Sequence, residues 1–268
     1  MLDLVFGQAS SAGKVRENNE DAMGVFVPIS RQQARALGWM FVVADGVGGM
    51  DLGEVASARA VEVMQEGFAQ AQEGTSLASL LPRLIQHANA AVHDETLTQE
   101  RRGKHMATTI VSCALRYDQA YIANVGDSRC YLVRDRQATV LTHDHTWVAE
   151  QRKLGIVSAE EAAHSESRHI LTRSLGPELF VSADTKTISL RPHDILVLCT
   201  DGLYGQLHSR EIVGIVTQDK GVEDIAQELV SYSVEKDGAD NTTAQVISVR
   251  AIEAMAMYRG RLYPRPGF

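Results

Sequence analysis

Apolar and polar residues alternate with a period of two from residue 107 to about residue 142, and this pattern constrains the fold more than any other. Four short runs follow one another with polar turns between them: TTIVSCALRY, QAYIANVG, RCYLVRD and QATVLT. Short alternating strands joined by tight turns pair with their neighbours in sequence. The region therefore predicts an antiparallel meander, whose apolar face other elements have to cover.

Blocks of strand-like and helix-like sequence lie on both sides of this meander. Before it come three strand-like runs and two segments with apolar residues at helical spacing. After it come two strands, two further helices and a last strand. In chain order these segments are LVFGQAS, AMGVFVPI, WMFVVA, GEVASARAVEVMQEGFAQAQ, SLASLLPRLIQHANAAVHDET, TKTISL, DILVLCT, SREIVGIVTQ, GVEDIAQELVSYSVEK and TTAQVISV. The order predicts an α+β fold in which antiparallel sheets pack together with helices outside.

We expect one domain over residues 1–250, followed by a basic C-terminal tail over residues 251–268. Residues from about 143 to 176 are polar and rich in histidine, with two short helical pieces, and they are typical of a surface flap. The last eleven residues carry Arg259, Arg261 and Arg265 and no acid. We interpret them as a solvated tail, with a docking segment for an acidic partner as the alternative.

Charge and composition exclude several classes of function. The net charge of −8 argues against nucleic acid as the main partner, because phosphate binding needs a basic face. No apolar run approaches the roughly 20 residues that span a bilayer, and the N-terminus lacks the pattern of a secretory signal. Three scattered cysteines in apolar contexts predict reduced core residues. A cytoplasmic protein is therefore expected.

Carboxylates flanked by glycine or asparagine occur where several predicted strands begin or end. They are Asp45, Asp127, Asp201, Asp240 and the pair Glu20 and Asp21. A buried carboxylate is costly unless it is paired or binds a metal, and several carboxylates close together need a cation. An all-oxygen set suits magnesium or manganese rather than zinc or copper. If these strand ends converge, they form a site for such ions.

The same residues lie in short motifs that resemble one enzyme family. In chain order the motifs are Arg16-x-x-Asn19-Glu20-Asp21, Val43-Ala44-Asp45-Gly46-Val47-Gly48-Gly49, Met106-Ala107-Thr108-Thr109, Gly126-Asp127-Ser128-Arg129, Thr200-Asp201-Gly202-Leu203 and Asp240-Asn241-Thr242-Thr243. This ordered set, from about Gly7 to Val249, resembles the metal-dependent protein Ser/Thr phosphatases of the PPM (type 2C) family. The short length and the flap look like its bacterial branch. The resemblance implies a four-layer α-β-β-α sandwich with a flap subdomain.

The resemblance also implies roles for individual residues. Asp45 would bridge two metal ions, and the Gly46 carbonyl would bind the first. Asp201 and Asp240 would complete the coordination of the second ion, and Asp127 with Asp201 would hold a third. Each site would thus hold two or three manganese or magnesium ions. The remaining roles are those of Glu20 and Asp21, which would orient metal-bound waters, and of Arg16, which would bind the substrate phosphate.

The general acid of the reaction is the least defined part of this interpretation. Many eukaryotic relatives have a histidine where this chain has Val47, yet the leaving alkoxide still needs a proton. His164 is the candidate, in a segment that resembles the family's His-Pro-x-Arg-Asn flap sequence, with Ser165 and His169 replacing the proline and the asparagine. The alternative is that His164 is a solvated flap histidine.

Three functional hypotheses remain open from the sequence. The first is a monomeric phosphatase that hydrolyses phosphoserine and phosphothreonine in proteins and opposes a eukaryotic-like Ser/Thr kinase in signal transduction. The second is a pseudophosphatase that binds phosphoproteins without turnover. The third is an enzyme of the same fold that acts on another phosphoester, or on one dedicated phosphoprotein. The presence of all four predicted metal-binding aspartates favours an active enzyme over the pseudophosphatase.

Overall fold

Two five-stranded antiparallel sheets form the centre of the fold. The computed structural model describes residues 2–47, 52–100, 105–158, 161, 165–252, 255–258 and 261–264. The strands of the two sheets are β1 (Asp3–Ser11), β2 (Asp21–Phe26), β3 (Trp39–Asp45), β4 (Ile110–Arg116), β5 (Gln119–Val125), β6 (Arg129–Arg134), β7 (Gln137–Val140), β8 (Asp184–Ser189), β9 (Ile195–Cys199) and β10 (Thr242–Ala251). One sheet has the order β1-β10-β9-β6-β7 and the other the order β2-β3-β4-β5-β8. The predicted single meander is therefore wrong, because the chain passes from one sheet to the other between β5 and β6, and its four strands form two separate pairs.

The helices are α1 (Arg31–Ala36), α2 (Gly53–Ala69), α3 (Leu77–Glu100), α4 (Trp147–Lys153), α5 (Asp201–Tyr204), α6 (Ser209–Val216) and α7 (Val222–Lys236), with a 3₁₀ turn at Glu166–His169. Helices α2 and α3 cover the outer face of one sheet, and α6 and α7 cover that of the other. Among the residues that the structure describes, no helix is both long and apolar enough to cross a membrane. The short helix α1 was not predicted, because its six residues show no apolar periodicity. Ser30 begins it by accepting a hydrogen bond from the backbone N–H of Gln33.

Three apolar layers hold the sheets and helices together. The middle layer lies between the sheets and includes Phe41 and Leu198, which are fully buried. A second layer packs α2 and α3 on one sheet, with Phe68 at its centre. A third packs α6 and α7 on the other sheet, around Leu229. This arrangement confirms the predicted four-layer sandwich.

The flap and the C-terminal segment are described only in part. The first predicted helical piece of the flap is α4, whereas most of the second, at 158–164, lies outside the described residues. Beyond β10, strands β11 (Met255–Tyr258) and β12 (Arg261–Pro264) pair as an antiparallel hairpin. The segment interpreted as a solvated tail therefore contains regular structure, which the sequence pattern did not indicate. The boundary at residue 250 stays a prediction.

Candidate metal centre

The strand register places two of the predicted site carboxylates side by side. Asp21 is the first residue of β2 and Asp45 the last residue of β3, and the two are direct partners in the antiparallel ladder. Because neighbouring strands lie about 5 Å apart, the two carboxylates are close enough to repel each other. The close approach follows from the sequence, since each strand has its carboxylate at the end that meets the other.

The second sheet contributes three more carboxylates at the same end of the sandwich. Asp201 follows β9, Asp240 precedes β10 and Asp127 precedes β6. Their charges, together with that of Asp21, raise the pKa of Asp45, which burial raises most. Five of the six predicted acidic residues thus belong to one electrostatic group. The sixth, Glu20, is nearby: burial raises its pKa most, and the charge of Asp240 raises it as well.

Burial and mutual repulsion make this group unfavourable without a counter-charge. Burial, opposed by hydrogen bonds from Thr243 and Thr200, raises the pKa of Asp21 to about 7. Burial and the Asp201 charge raise the pKa of Asp127 to about 7 as well. Asp21 Oδ1 is buried and accepts no hydrogen bond from any described residue. A buried acceptor without a partner costs about 1–3 kcal/mol, so the site favours a bound cation.

The donor set fits a hard divalent cation whose coordination shell is completed by water. All candidate ligands are oxygen atoms, as magnesium and manganese prefer. Within the described residues, no three His, Cys, Asp or Glu side chains converge tightly enough to hold an ion by themselves. Backbone carbonyl oxygens and water would therefore have to complete the shell, as is usual for Mg²⁺.

Two threonines that follow helix α3 fix the backbone of Asp45. The Asp45 N–H donates to Thr109 Oγ1 (3.1 Å), and the Thr108 hydroxyl donates to the Asp45 carbonyl (2.8 Å). Thr109 Oγ1 lies 2.7 Å from Ser128 Oγ, next to Asp127. These threonines belong to a motif that the sequence identified, but no role was predicted for them. Thr109 thus links the end of β3 to the residue before β6, and Thr108 fixes the carbonyl of Asp45.

Gly46 allows three segments of backbone to meet beside Asp45. Its N–H donates to the Glu20 carbonyl at 3.0 Å. A Cβ at this position would lie 2.5 Å from the Gly53 carbonyl and 2.8 Å from the Glu20 carbonyl oxygen. No side chain fits there, which explains why glycine follows the aspartate.

Asn241 connects the predicted metal ligand Asp240 with the loop that carries Arg16. Its side chain is 4% exposed, accepts from the Glu20 N–H (2.8 Å) and donates to the carbonyls of Ala12 (3.1 Å) and Asn18 (2.9 Å). Arg16 itself lies at the centre, where its Nε is 3.0 Å from Asp240 Oδ1. The predicted phosphate-binding residue therefore adjoins the carboxylates.

The flap contributes a histidine that sequence analysis did not assign to the site. His169 Nδ1 lies 3.2 Å from Asp201 Oδ2, although its side chain is 57% exposed. A cavity of about 160 Å³ separates this residue from the loop of Asp240. The predicted general acid His164 lies outside the described residues. Only the replacement of the family's asparagine by His169 could have indicated this contact.

Comparison with known proteins links this geometry to one family. The Protein phosphatase 2C family model matches residues 7–242. A serine/threonine phosphatase, stp, from Listeria innocua is 32% identical over 257 residues, covering 93% of this chain and 95% of the relative. The structure of serine/threonine phosphatase Stp1 from Staphylococcus aureus superposes with a TM-score of 0.84 at 29% identity, covering 94% and 96% of the chains.

A second solved structure bears on the metal. It is the catalytic domain of serine threonine protein phosphatase PstP in complex with two manganese ions. It superposes on this chain with a TM-score of 0.77 at 27% identity, and the alignment covers 94% of this chain and all of that domain. The similarity therefore extends over nearly the whole chain.

Proposed function

Because this chain belongs to the protein phosphatase 2C family, we propose that its carboxylate centre hydrolyses phosphoserine and phosphothreonine in proteins with the help of bound divalent cations. The observation that supports this most is the convergence of Asp21, Asp45, Asp127, Asp201 and Asp240 on one end of the sandwich. The raised pKa values of Asp21, Asp45 and Asp127 mark a site where negative charge exceeds what basic side chains compensate, and such a site is suited to metal binding.

The chain's own residues would divide the work as follows. Asp45, Asp127, Asp201, Asp240 and the Gly46 carbonyl would hold the cations, and Glu20 and Asp21 would orient water around them. When bound there, a divalent cation lowers the pKa of coordinated water, so that hydroxide is available near neutral pH. Arg16 would bind the phosphate with its planar guanidinium and place phosphorus in line with that water.

Several finer points belong to the same proposal. The ions would be manganese or magnesium, two or three per site. The protein would be a cytoplasmic monomer that acts in signal transduction and opposes a Ser/Thr kinase. His164 would protonate the leaving alkoxide. The pseudophosphatase alternative has no structural support, since every predicted ligand on a described residue lies at the centre.

Removal and return of the metal is the experiment that tests the function. We expect protein treated with EDTA and then dialysed to lose nearly all hydrolysis of a phosphothreonine peptide, and to regain it with Mn²⁺. A phosphotyrosine peptide serves as the control substrate and should be hydrolysed much more slowly under both conditions. Turnover that survives complete chelation would contradict the proposal, and absence of turnover in protein that binds Mn²⁺ would favour the pseudophosphatase.

Metal affinity is expected to depend on pH. Because the pKa values of Asp21 and Asp127 are raised to about 7, these carboxyls hold protons below that pH, and a cation has to displace them. Lowering the pH from 8 to 6 should therefore weaken Mn²⁺ binding by about tenfold or more. Calorimetry in buffers of different ionisation enthalpy should detect the released protons. The Asp127→Asn variant should release fewer protons when it binds Mn²⁺. An Mn²⁺ affinity that does not change with pH would contradict this explanation.

The conservative variant Arg16→Lys should separate phosphate binding from metal binding. Lysine keeps the charge but loses the planar pair of donors, so we expect KM for a phosphothreonine peptide to rise about tenfold. Mn²⁺ affinity should change little. A KM equal to that of the parent would show that Arg16 only pairs with Asp240 and does not contact the substrate.

A further inference from the structure

Arg129 is a partly buried arginine two residues beyond Asp127, and none of the proposed roles involves it. Its Nε donates to both carboxylate oxygens of Asp144, at 3.0 and 3.2 Å, and its Nη2 donates to Oδ2 at 2.6 Å. Nη1 donates to the Tyr131 hydroxyl at 3.0 Å. The guanidinium therefore has a fixed plane and direction at the start of β6.

The face of the same guanidinium lies on the ring of Tyr204. The Arg129 Cζ atom is 3.6 Å from the ring centroid, a short cation–π distance. Tyr204 is the last residue of α5, a single helical turn whose first residue is Asp201. The stacking contact thus fixes the turn of Asp201 against the strand that follows Asp127.

Asp144, the hydrogen-bond partner of Arg129, is itself held on both sides at the base of the flap. The Asn124 side chain donates to the His143 carbonyl (2.8 Å). The His145 N–H donates to the Gly126 carbonyl (3.0 Å), and the Gly126 N–H donates to His145 Nδ1 (3.1 Å). Arg129 consequently joins three segments: the loop of Asp127, the turn of Asp201 and the base of the flap.

The charges of Arg129 and Asp144 shift the pKa of Asp127 in opposite directions. Asp144 raises the pKa of Asp127 and Arg129 lowers it, although burial remains the largest influence. Two opposed fields cannot account for a strong effect of Arg129 on metal binding. Its geometric contacts can.

We propose that Arg129 is a positioning residue that sets the separation of Asp127 from Asp201, and thereby the affinity of the centre for the cation that both would hold. This rests on the proposed function only for the identity of the two ligands. Arginine is required because lysine can neither donate two parallel hydrogen bonds to Asp144 nor stack flat on Tyr204.

The chain offers a matched control on the same strand. Arg134, at the other end of β6, pairs with Asp194 through Nε (2.7 Å) and Nη2 (2.6 Å), and Asp194 is 1% exposed. Five residue steps of a strand place it about 17 Å from Arg129. It shares the bidentate pairing with a carboxylate but adjoins none of the carboxylates of the centre.

Titration of Mn²⁺ alone, followed by calorimetry and by electron paramagnetic resonance of the free ion, tests the proposal. We expect Arg129→Lys to weaken about tenfold the Mn²⁺ binding step that Asp127→Asn abolishes, while Arg134→Lys leaves every Mn²⁺ dissociation constant unchanged. In an Asp127→Asn background, Arg129→Lys should cause no further loss. Melting temperatures of both lysine variants establish that a shared loss of stability is not the cause.

Equal effects of the two lysine variants on Mn²⁺ binding, or no effect of Arg129→Lys, would overturn the inference. If Arg129→Lys does not fold, Tyr204→Leu removes only the stacking contact and should weaken the binding of the same Mn²⁺ ion. The titration requires no turnover. Protein that binds Mn²⁺ but does not hydrolyse phosphopeptides would therefore contradict the proposed function and leave this inference standing.

Discussion

Asp45→Asn is expected to lower kcat for a phosphothreonine peptide by on the order of 10³-fold, or about 4 kcal/mol of transition-state stabilisation. Burial raises the pKa of Asp45 most, and the charges of Asp21, Asp201, Asp127 and Asp240 all raise it further, so Asp45 occupies the middle of the group. An amide there removes the charge that the cations would share. Steady-state kinetics with Mn²⁺ in excess should reveal the loss.

The control for this variant is Asp194→Asn, which neutralises another buried aspartate. Asp194 pairs with Arg134 far from the centre, so its replacement should lower the melting temperature and leave kcat nearly unchanged. By contrast, Asp45→Asn should stabilise the protein in the absence of metal, because it relieves repulsion among the carboxylates. An Asp45→Asn protein with parental kcat would refute the assignment of Asp45 as the central ligand.

Asn241→Ala should have the second-largest effect. It removes three hydrogen bonds between the start of β10 and the loop of Arg16, each worth about 1 kcal/mol, so we expect about 3 kcal/mol less stability. Displacement of Arg16 and Asp240 should also lower kcat/KM about 100-fold, since misplacement by about 1 Å has this consequence. Denaturant unfolding and peptide kinetics measure the two effects separately.

Asn89→Ala provides the matched control for that prediction. Asn89 is fully buried on α3 and also makes three hydrogen bonds to backbone, with Glu178, Leu179 and Gly176. Its loss should destabilise the protein by a similar amount with little effect on kcat/KM. If both variants lowered kcat/KM equally, Asn241 would stabilise the fold without positioning the site.

Features that depend on local pattern could be predicted from the sequence. Period-two alternation identified the four strands from Ile110 to Val140. It did not identify how they pair, since β4 pairs with β5 and β6 with β7, whereas β5 and β6 belong to different sheets. The site carboxylates could be recognised because they lie at the ends of strands, and the register then brings Asp21 next to Asp45. The roles of these carboxylates as ligands stay predictions.

Contacts between segments far apart in sequence could not be predicted in this way. The stacking of Arg129 on Tyr204 and the contact of His169 with Asp201 depend on how the two sheets and the flap meet. Arg16 was expected to face a phosphate, and its pairing with Asp240 reflects a loop position that Asn241 fixes. None of these contacts leaves a periodic trace in the sequence.

The most direct test of the carboxylate centre is an anomalous difference map from crystals soaked in Mn²⁺. We predict at least two peaks, with Asp45 carboxylate oxygens within about 2–2.5 Å of both and Asp201 and Asp240 beside one of them. Manganese bound elsewhere, in crystals of protein that hydrolyses a phosphothreonine peptide in solution, would contradict the assignment of this centre as the catalytic metal site.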